Sequence, residues 1–157
     1  KVTKINLLDC IKSSIRNNRF FLIEKKFDIK IDIDETFVYS DKEWLTYIID
    51  QLINNAIKYS KKDPYLKIWT KKDKNETSLF IEDNGEGIKK EDLPRIFERG
   101  YTGSNHRNNQ YKSTGFGLYM VDLILKRLGH DCYVESSFSK YTRFIIVFKD
   151  NRDFFNL

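Results

Sequence analysis

The stretch FDIKIDID, residues 27–34, alternates without error. Phe27, Ile29, Ile31 and Ile33 point one way; Asp28, Lys30, Asp32 and Asp34 point the other. A period of two over eight residues predicts a strand with one dry face and one wet face. The rest of the chain must therefore supply a layer to cover the dry side. Residues 65–71 (YLKIWTK) and 78–83 (SLFIED) predict two further strands, joined as a hairpin through the turn-like KDKNE at 72–76. DCYVESS and TRFIIVFK predict two more near the end, and FVYS at 37–40 is short and β-prone.

Three segments have helical periodicity. Leu7, Leu8, Ile11 and Ile15 share one face, with Asn6 placed to cap the helix. Ser40 and Glu43 have the spacing of a capping box, which would start a second helix there. Leu118, Val121, Ile124, Leu125 and Leu128 form the third face, and Gly129 suits its stop. DLPRIFE, residues 92–98, allows one short helical turn, and residues 101–114 read as a long loop rich in Gly, Ser and Asn. Three helices cannot cover both faces of such a sheet. The expected fold class is α+β, a two-layer sandwich with a mixed sheet covered on one face.

At 157 residues the chain is expected to form one domain. No apolar run reaches the roughly 20 residues of a membrane span. The first residue is Lys1 rather than Met, so a fragment of a longer protein is expected. Two distant cysteines, Cys10 and Cys132, lack metal-ligand spacing and suit a reducing, intracellular setting. The net charge of +5 is spread along the chain, which reads as a solvated surface, and no nucleic-acid partner is expected.

Three constellations carry chemistry. With Leu45 set at zero and 100° per residue, Ile48, Ile49, Leu52, Ile53, Ala56 and Ile57 cover an arc from about 300° to about 120°. Lys58, Gln51 and Asn55 fall at about 220°, 240° and 280°, a polar stripe bordering the buried face. An Asn oxygen there suits a hard cation such as Mg²⁺, and a Lys one turn on suits phosphate charge; a solvated helix face is the plainer alternative. EDNGEGI, residues 82–88, ends a strand in Asp83 and continues as D-x-G-x-G. Its glycines allow close backbone approach, and its carboxylate can accept from an exocyclic amine; an ordinary turn is the alternative. STGFGLYMV, residues 113–121, is G-x-G-L opening an apolar helix, where backbone N–H groups can meet phosphate. It is not a P-loop, and it follows a loop rather than a strand, unlike a Rossmann site.

The order N-x-x-K on a helix, D-x-G-x-G after a strand, RIFERGYTG, then G-x-G-L resembles the N, G1, F and G2 boxes of the ATP-binding domain of sensor histidine kinases. These belong to the superfamily of gyrase B, Hsp90 and MutL. The resemblance covers roughly residues 37–148, and RIFERGYTGSN is similar to intramembrane-sensing kinases that respond to bacitracin and other antimicrobial peptides. It implies a Bergerat-type fold that binds ATP and Mg²⁺. Asn55 would hold the metal, while Lys58 and Tyr59 would line the phosphate and nucleoside side. Asp83 would read the adenine amine, with Gly85, Gly87 and Ile88 shaping the pocket wall. Phe97 is the F-box aromatic. Tyr101 through Thr114 would be the lid, with Arg107 and Lys112 reaching the γ-phosphate. Gly115, Phe116, Gly117 and Leu118 would meet the phosphates.

Two positions depart from the pattern. Gln51 stands where the kinases usually have Asn and the ATPase relatives have a general-base Glu. A Gln amide takes no proton at neutral pH, which argues for transfer to an acceptor rather than to water. Ser113 replaces the usual first Gly of the G2 box. The resemblance further implies a cytoplasmic domain of an integral membrane protein, whose partners are its own dimerisation and phosphoacceptor domain and a response regulator. A peptide-sensing ABC transporter would act through the parent. The parent would be a homodimer and this fragment a monomer. Neither His106 nor His130 lies in a phosphoacceptor setting, so the fragment is expected to bind ATP without phosphorylating itself. Two other readings compete: a superfamily ATPase, which would need Glu near position 51, and a binding module that takes no nucleotide.

Overall fold

The computed structural model describes residues 1–101, 117–150 and 152. Among these residues seven strands and four α-helices run in the order β1 (Val2–Asn6), α1 (Leu7–Asn17), α2 (Arg19–Glu24), β2 (Asp28–Asp32), β3 (Phe37–Asp41), α3 (Lys42–Lys58), β4 (Tyr65–Asp73), β5 (Glu76–Asp83), α4 (Gly117–Arg127), β6 (His130–Ser137) and β7 (Tyr141–Lys149). A single 3₁₀ turn, Leu93–Arg95, lies between β5 and α4, within the segment expected to make one helical turn.

The main sheet has the order β2-β4-β5-β7-β6. Only β2 and β4 are parallel; the other pairs are antiparallel, so the sheet is mixed as expected. Ile68 of β4, Ile81 of β5 and Phe144 of β7 stand in one cross-strand row, all buried. α3 packs between α1 and α4 over this side of the sheet and buries Leu45, Ile48, Ile49, Leu52, Ile53, Ala56 and Ile57, the full arc read from the sequence. At about 25 cal/mol per Å² of apolar surface, a face of that size is the main reason the 17-residue helix is stable. α1 lies beside α3 and runs the same way. Ser14 Oγ donates to the Thr46 carbonyl at 3.2 Å and Asn18 Nδ2 to Asp50 at 3.3 Å, with the same separation of 32 residues.

Several expectations are corrected. Ser40 does not cap α3. Asp41 does, its Oδ1 accepting from Trp44 N at 3.0 Å, while Ser40 is a buried residue of β3. β1 and α2 have no counterpart in the sequence reading. β1 pairs with β3 in a separate two-stranded sheet, Ile5 opposite Val38. α2 leaves Phe20 67% and Ile23 74% exposed and buries only Leu22, so it has no periodic face to detect. The 72–76 turn is shorter than expected: β4 and β5 continue to the Asp73–Glu76 pair, leaving Lys74 and Asn75 between them. Asn6 caps α1 as expected, accepting from Leu8 N at 3.1 Å. Gly129 ends α4 at φ +78°, a conformation that costs glycine little.

Candidate functional site

Alternation along β5 decides which way its last two carboxylates face. Thr77, Leu79, Ile81 and Asp83 point under the helices; Phe80 and Glu82 point to the other side. Asp83 therefore closes a row of core residues and is 6% exposed. Burial pushes its carboxyl up to about 7, with the neighbouring Glu82 adding to the rise and the Gly85 N–H opposing it. Glu82 points the other way. On the outer face it accepts from Tyr65 Oη at 2.8 Å and from Arg143 Nε at 2.7 Å, an ion pair at the sheet surface.

The D-x-G-x-G segment turns back sharply after Asp83. Gly85 N donates to Asp83 Oδ1 at 2.8 Å, which fixes the carboxylate from its own chain. A β-carbon at Gly85 would press into the Tyr59 carbonyl and stand 2.9 Å from Asp83 Oδ1, so only glycine fits without displacement. Glu86 N donates to the same Tyr59 carbonyl at 2.9 Å. The C-terminal end of α3 and the turn after β5 are thus joined at Tyr59. Gly87 has φ +72°, and a β-carbon there would meet Phe138 Cα at 2.9 Å. Asn84 completes the turn: its Oδ1 accepts from Tyr65 N at 2.7 Å and its Nδ2 donates to the Asp63 carbonyl at 3.1 Å.

Gln51, Asn55 and Lys58 are half-buried along the edge of α3, the border stripe expected. Burial lowers the Lys58 pKa, and its Nζ lies 5.0 Å from the Tyr59 ring centroid. Gln51 faces the start of α4: its Oε1 lies 2.8 Å from where a β-carbon on Gly117 would sit. Leu118 and Ile88 are half-buried against the core, as is Phe97 beside buried Ile96. Tyr101 donates its hydroxyl to Asp92, and Arg95 lies 4.3 Å over its ring. Arg107, Lys112, Thr114, Gly115 and Phe116, with most of the expected lid, lie outside the described residues, as do His106 and Ser113.

The structure therefore brings two groups together: Tyr59, Asp83, Gly85 and Gly87 at one end, and Gln51 with Gly117 at the other. Between them Asn55 and Lys58 border the same helix edge. Among the described residues no three His, Cys, Asp or Glu side chains converge as a metal cage. Asn55 fits a hard cation that takes one amide oxygen and completes its shell with waters and phosphate oxygens. The sequence reading missed Asn84 and the serines of the β6–β7 turn. Their partners are distant in sequence and left no local pattern.

Residues 40–152 match the family described as histidine kinase-, DNA gyrase B-, and HSP90-like ATPase. The chain belongs to this ATPase family. The sensor protein kinase GraS of Staphylococcus aureus strain JH1 is 40% identical over 122 residues, 78% of this chain and 34% of that protein. The chain thus spans about a third of the length of this curated relative. The nucleotide-free catalytic domain of the histidine kinase ThkA has the same fold, with a TM-score of 0.82 at 19% identity over 96% of each chain. ThkA solved in complex with the response regulator protein TrrA aligns at a TM-score of 0.79 and 17% identity, over 97% of this chain and 42% of that one. Within the matched span Asp83 ends β5 and Asn55 lies on α3.

Proposed function

We propose that this chain is the ATP-binding catalytic part of a sensor histidine kinase. In this reading Asp83 accepts from the adenine amine, and Gly85 and Gly87 admit the base edge-on. Lys58 neutralises phosphate charge from a partly desolvated position. Mg²⁺, where bound, would be held by Asn55 and by phosphate oxygens, and it would neutralise charge as the phosphoryl group departs. The chain's own task is to hold ATP so that its γ-phosphate faces an acceptor histidine on the kinase's dimerisation domain, which a response regulator then relieves of the phosphate.

The observation that carries the kinase reading is Gln51. It lies midway along α3 against Gly117, at the position where an ATPase of this reading would need a proton acceptor. An amide orients but does not deprotonate water. The 40% identity to the sensor protein kinase GraS supports the same class; the likeness of RIFERGYTGSN to intramembrane-sensing kinases is what suggests a membrane-anchored parent that responds to antimicrobial peptides. The parent would be a homodimer, with a peptide-sensing transporter as a further partner.

Calorimetric titration with ATP, with and without Mg²⁺, and with GTP as control tests the binding step. Mg²⁺-sensitive binding of ATP and not GTP is expected. Incubation with labelled ATP should leave no stable phosphate on this chain alone and should label a phosphoacceptor domain supplied in trans. Steady phosphate release from the chain alone would favour the ATPase reading; no nucleotide binding at millimolar ATP would favour a binding module.

A further inference from the structure

We infer that Ser136 is a positioning residue for base recognition, acting on Asp83 through the glycine turn; this rests on the nucleotide reading above. Ser136 is the penultimate residue of β6, opposite Thr142 of β7, and Thr142 in turn stands opposite Asp83 of β5. Its hydroxyl makes three contacts. It accepts from Ile88 N at 2.8 Å, donates to the Tyr141 carbonyl at 2.6 Å and lies 3.2 Å from Thr142 Oγ1. A serine has one proton to give. With that proton on Tyr141, the Thr142 hydroxyl is the donor of the third contact.

The turn that carries Asp83 is held from two sides. On the α3 side, the Tyr59 carbonyl takes Glu86 N, and Gly85 packs against it. On the hairpin side three successive residues are engaged: Ser139 N donates to the Glu86 carbonyl at 2.6 Å, Gly87 passes under Phe138, and Ile88 N meets Ser136. The first two of these contacts are made by backbone atoms on both sides. Ser136 makes the third with a side chain, so substitution can release it. Without the hydroxyl, Ile88 N loses its acceptor and the far end of the turn is released. The turn keeps its Tyr59 and Ser139 contacts but loses its anchor at Ile88, so the Gly85 N–H that orients the Asp83 carboxylate is held less tightly.

The test compares ATP with purine riboside triphosphate, which lacks the exocyclic amine. Calorimetric Kd values are measured on the 157-residue chain. Wild type should prefer ATP. Ser136→Ala should weaken ATP by about tenfold, the scale of a lost hydrogen bond at a polar site, and leave the purine analogue within about twofold. Ser136→Thr, which keeps the hydroxyl, should restore the preference. If Ser136→Ala does not fold, Ser136→Cys gives the same comparison with a weak acceptor of similar size. An ATP preference kept at full size in the variant overturns the inference and leaves the function intact. Equal weakening of both nucleotides also overturns it, because that is general loosening. Absence of any preference in wild type overturns the assignment of Asp83, and the inference with it.

Discussion

His130 Nε2 lies 3.0 Å from Ser40 Oγ across 90 residues of sequence. The contact ties β3 of the small sheet to the first residue of β6 in the large one. Both residues are buried, and the imidazole packs edge-on against Phe148 with ring centroids 4.8 Å apart. Nδ1 has no hydrogen-bond partner among the described residues, and burial pulls the ring down to about 4 from its ordinary 6.5.

The pH dependence of stability follows from that shift. Between about pH 6.5 and 4 the unfolded chain binds a proton at His130 that the folded chain refuses. The contribution of His130 is therefore fully present above 6.5 and lost as pH falls toward 4, by on the order of 3 kcal/mol in all. Urea unfolding of wild type and His130→Gln at pH 7 and pH 4.5 should show a loss on acidification that is about 2 kcal/mol smaller in the variant. Parallel profiles would mean that His130 is solvated.

Asp83 has the opposite sign. Its folded carboxyl titrates at about 7, well above 3.8, so the folded chain holds a proton that the unfolded chain has released. This contribution is fully present below 3.8 and is lost as pH rises through 7. The two groups oppose each other in the mildly acid range. Asp83→Asn should therefore make the acid loss of stability steeper than in wild type. An unchanged slope would show that Asp83 is already ionised in the free protein.

The same ionisation should appear in nucleotide binding. A carboxylate accepts more strongly from an amine than a carboxylic acid does. ATP affinity in wild type is expected to rise between pH 6 and 8, with proton release on binding. Asp83→Asn should weaken ATP at pH 8 by roughly 1–3 kcal/mol and flatten the profile. Titrations in buffers of different ionisation enthalpy measure both. Equal affinity in the two proteins would remove Asp83 from the adenine site.

Asn55→Ala tests the metal. The side chain is half-buried at the helix edge and is not one of the core residues, so the melting temperature should stay within about 2 °C of wild type. The dependence of ATP affinity on Mg²⁺ should disappear. A Mg²⁺ titration that overlays wild type would assign the ion to another residue.

Gly85→Ala tests the cradle. The new methyl group would collide with the Tyr59 carbonyl, which is part of the backbone and cannot swing aside. Destabilisation of about 1–3 kcal/mol is expected, together with loss of ATP binding. A stable variant that binds ATP normally would mean that the turn moves freely relative to α3.

The sequence made some of this legible and hid the rest for physical reasons. The buried arc of α3 was readable because seven apolar residues recur on one face, and the polar stripe beside it followed from the same geometry. Asp83 was visible because a strand ending in D-x-G-x-G is a local pattern. Ser40 was misread because its spacing to Glu43 satisfies a local rule, whereas its actual partner, His130, comes from β6. β1 buries only Ile5, and α2 only Leu22, too little for a period to show. Ser136, Asn84 and the Tyr59 carbonyl share that difficulty: each acts on a residue many positions away.

The glycine turn is fastened on one side by Tyr59 and on the other by the β6–β7 turn. During synthesis, α3 and β5 emerge well before that second fastening exists. Closing a loop from residue 88 to residue 136 costs entropy that only the finished β7 contacts repay. Nascent chains halted before residue 136 should therefore hold a collapsed helix–sheet layer with no competence for nucleotide, and that competence should arrive in one step as the final hairpin docks.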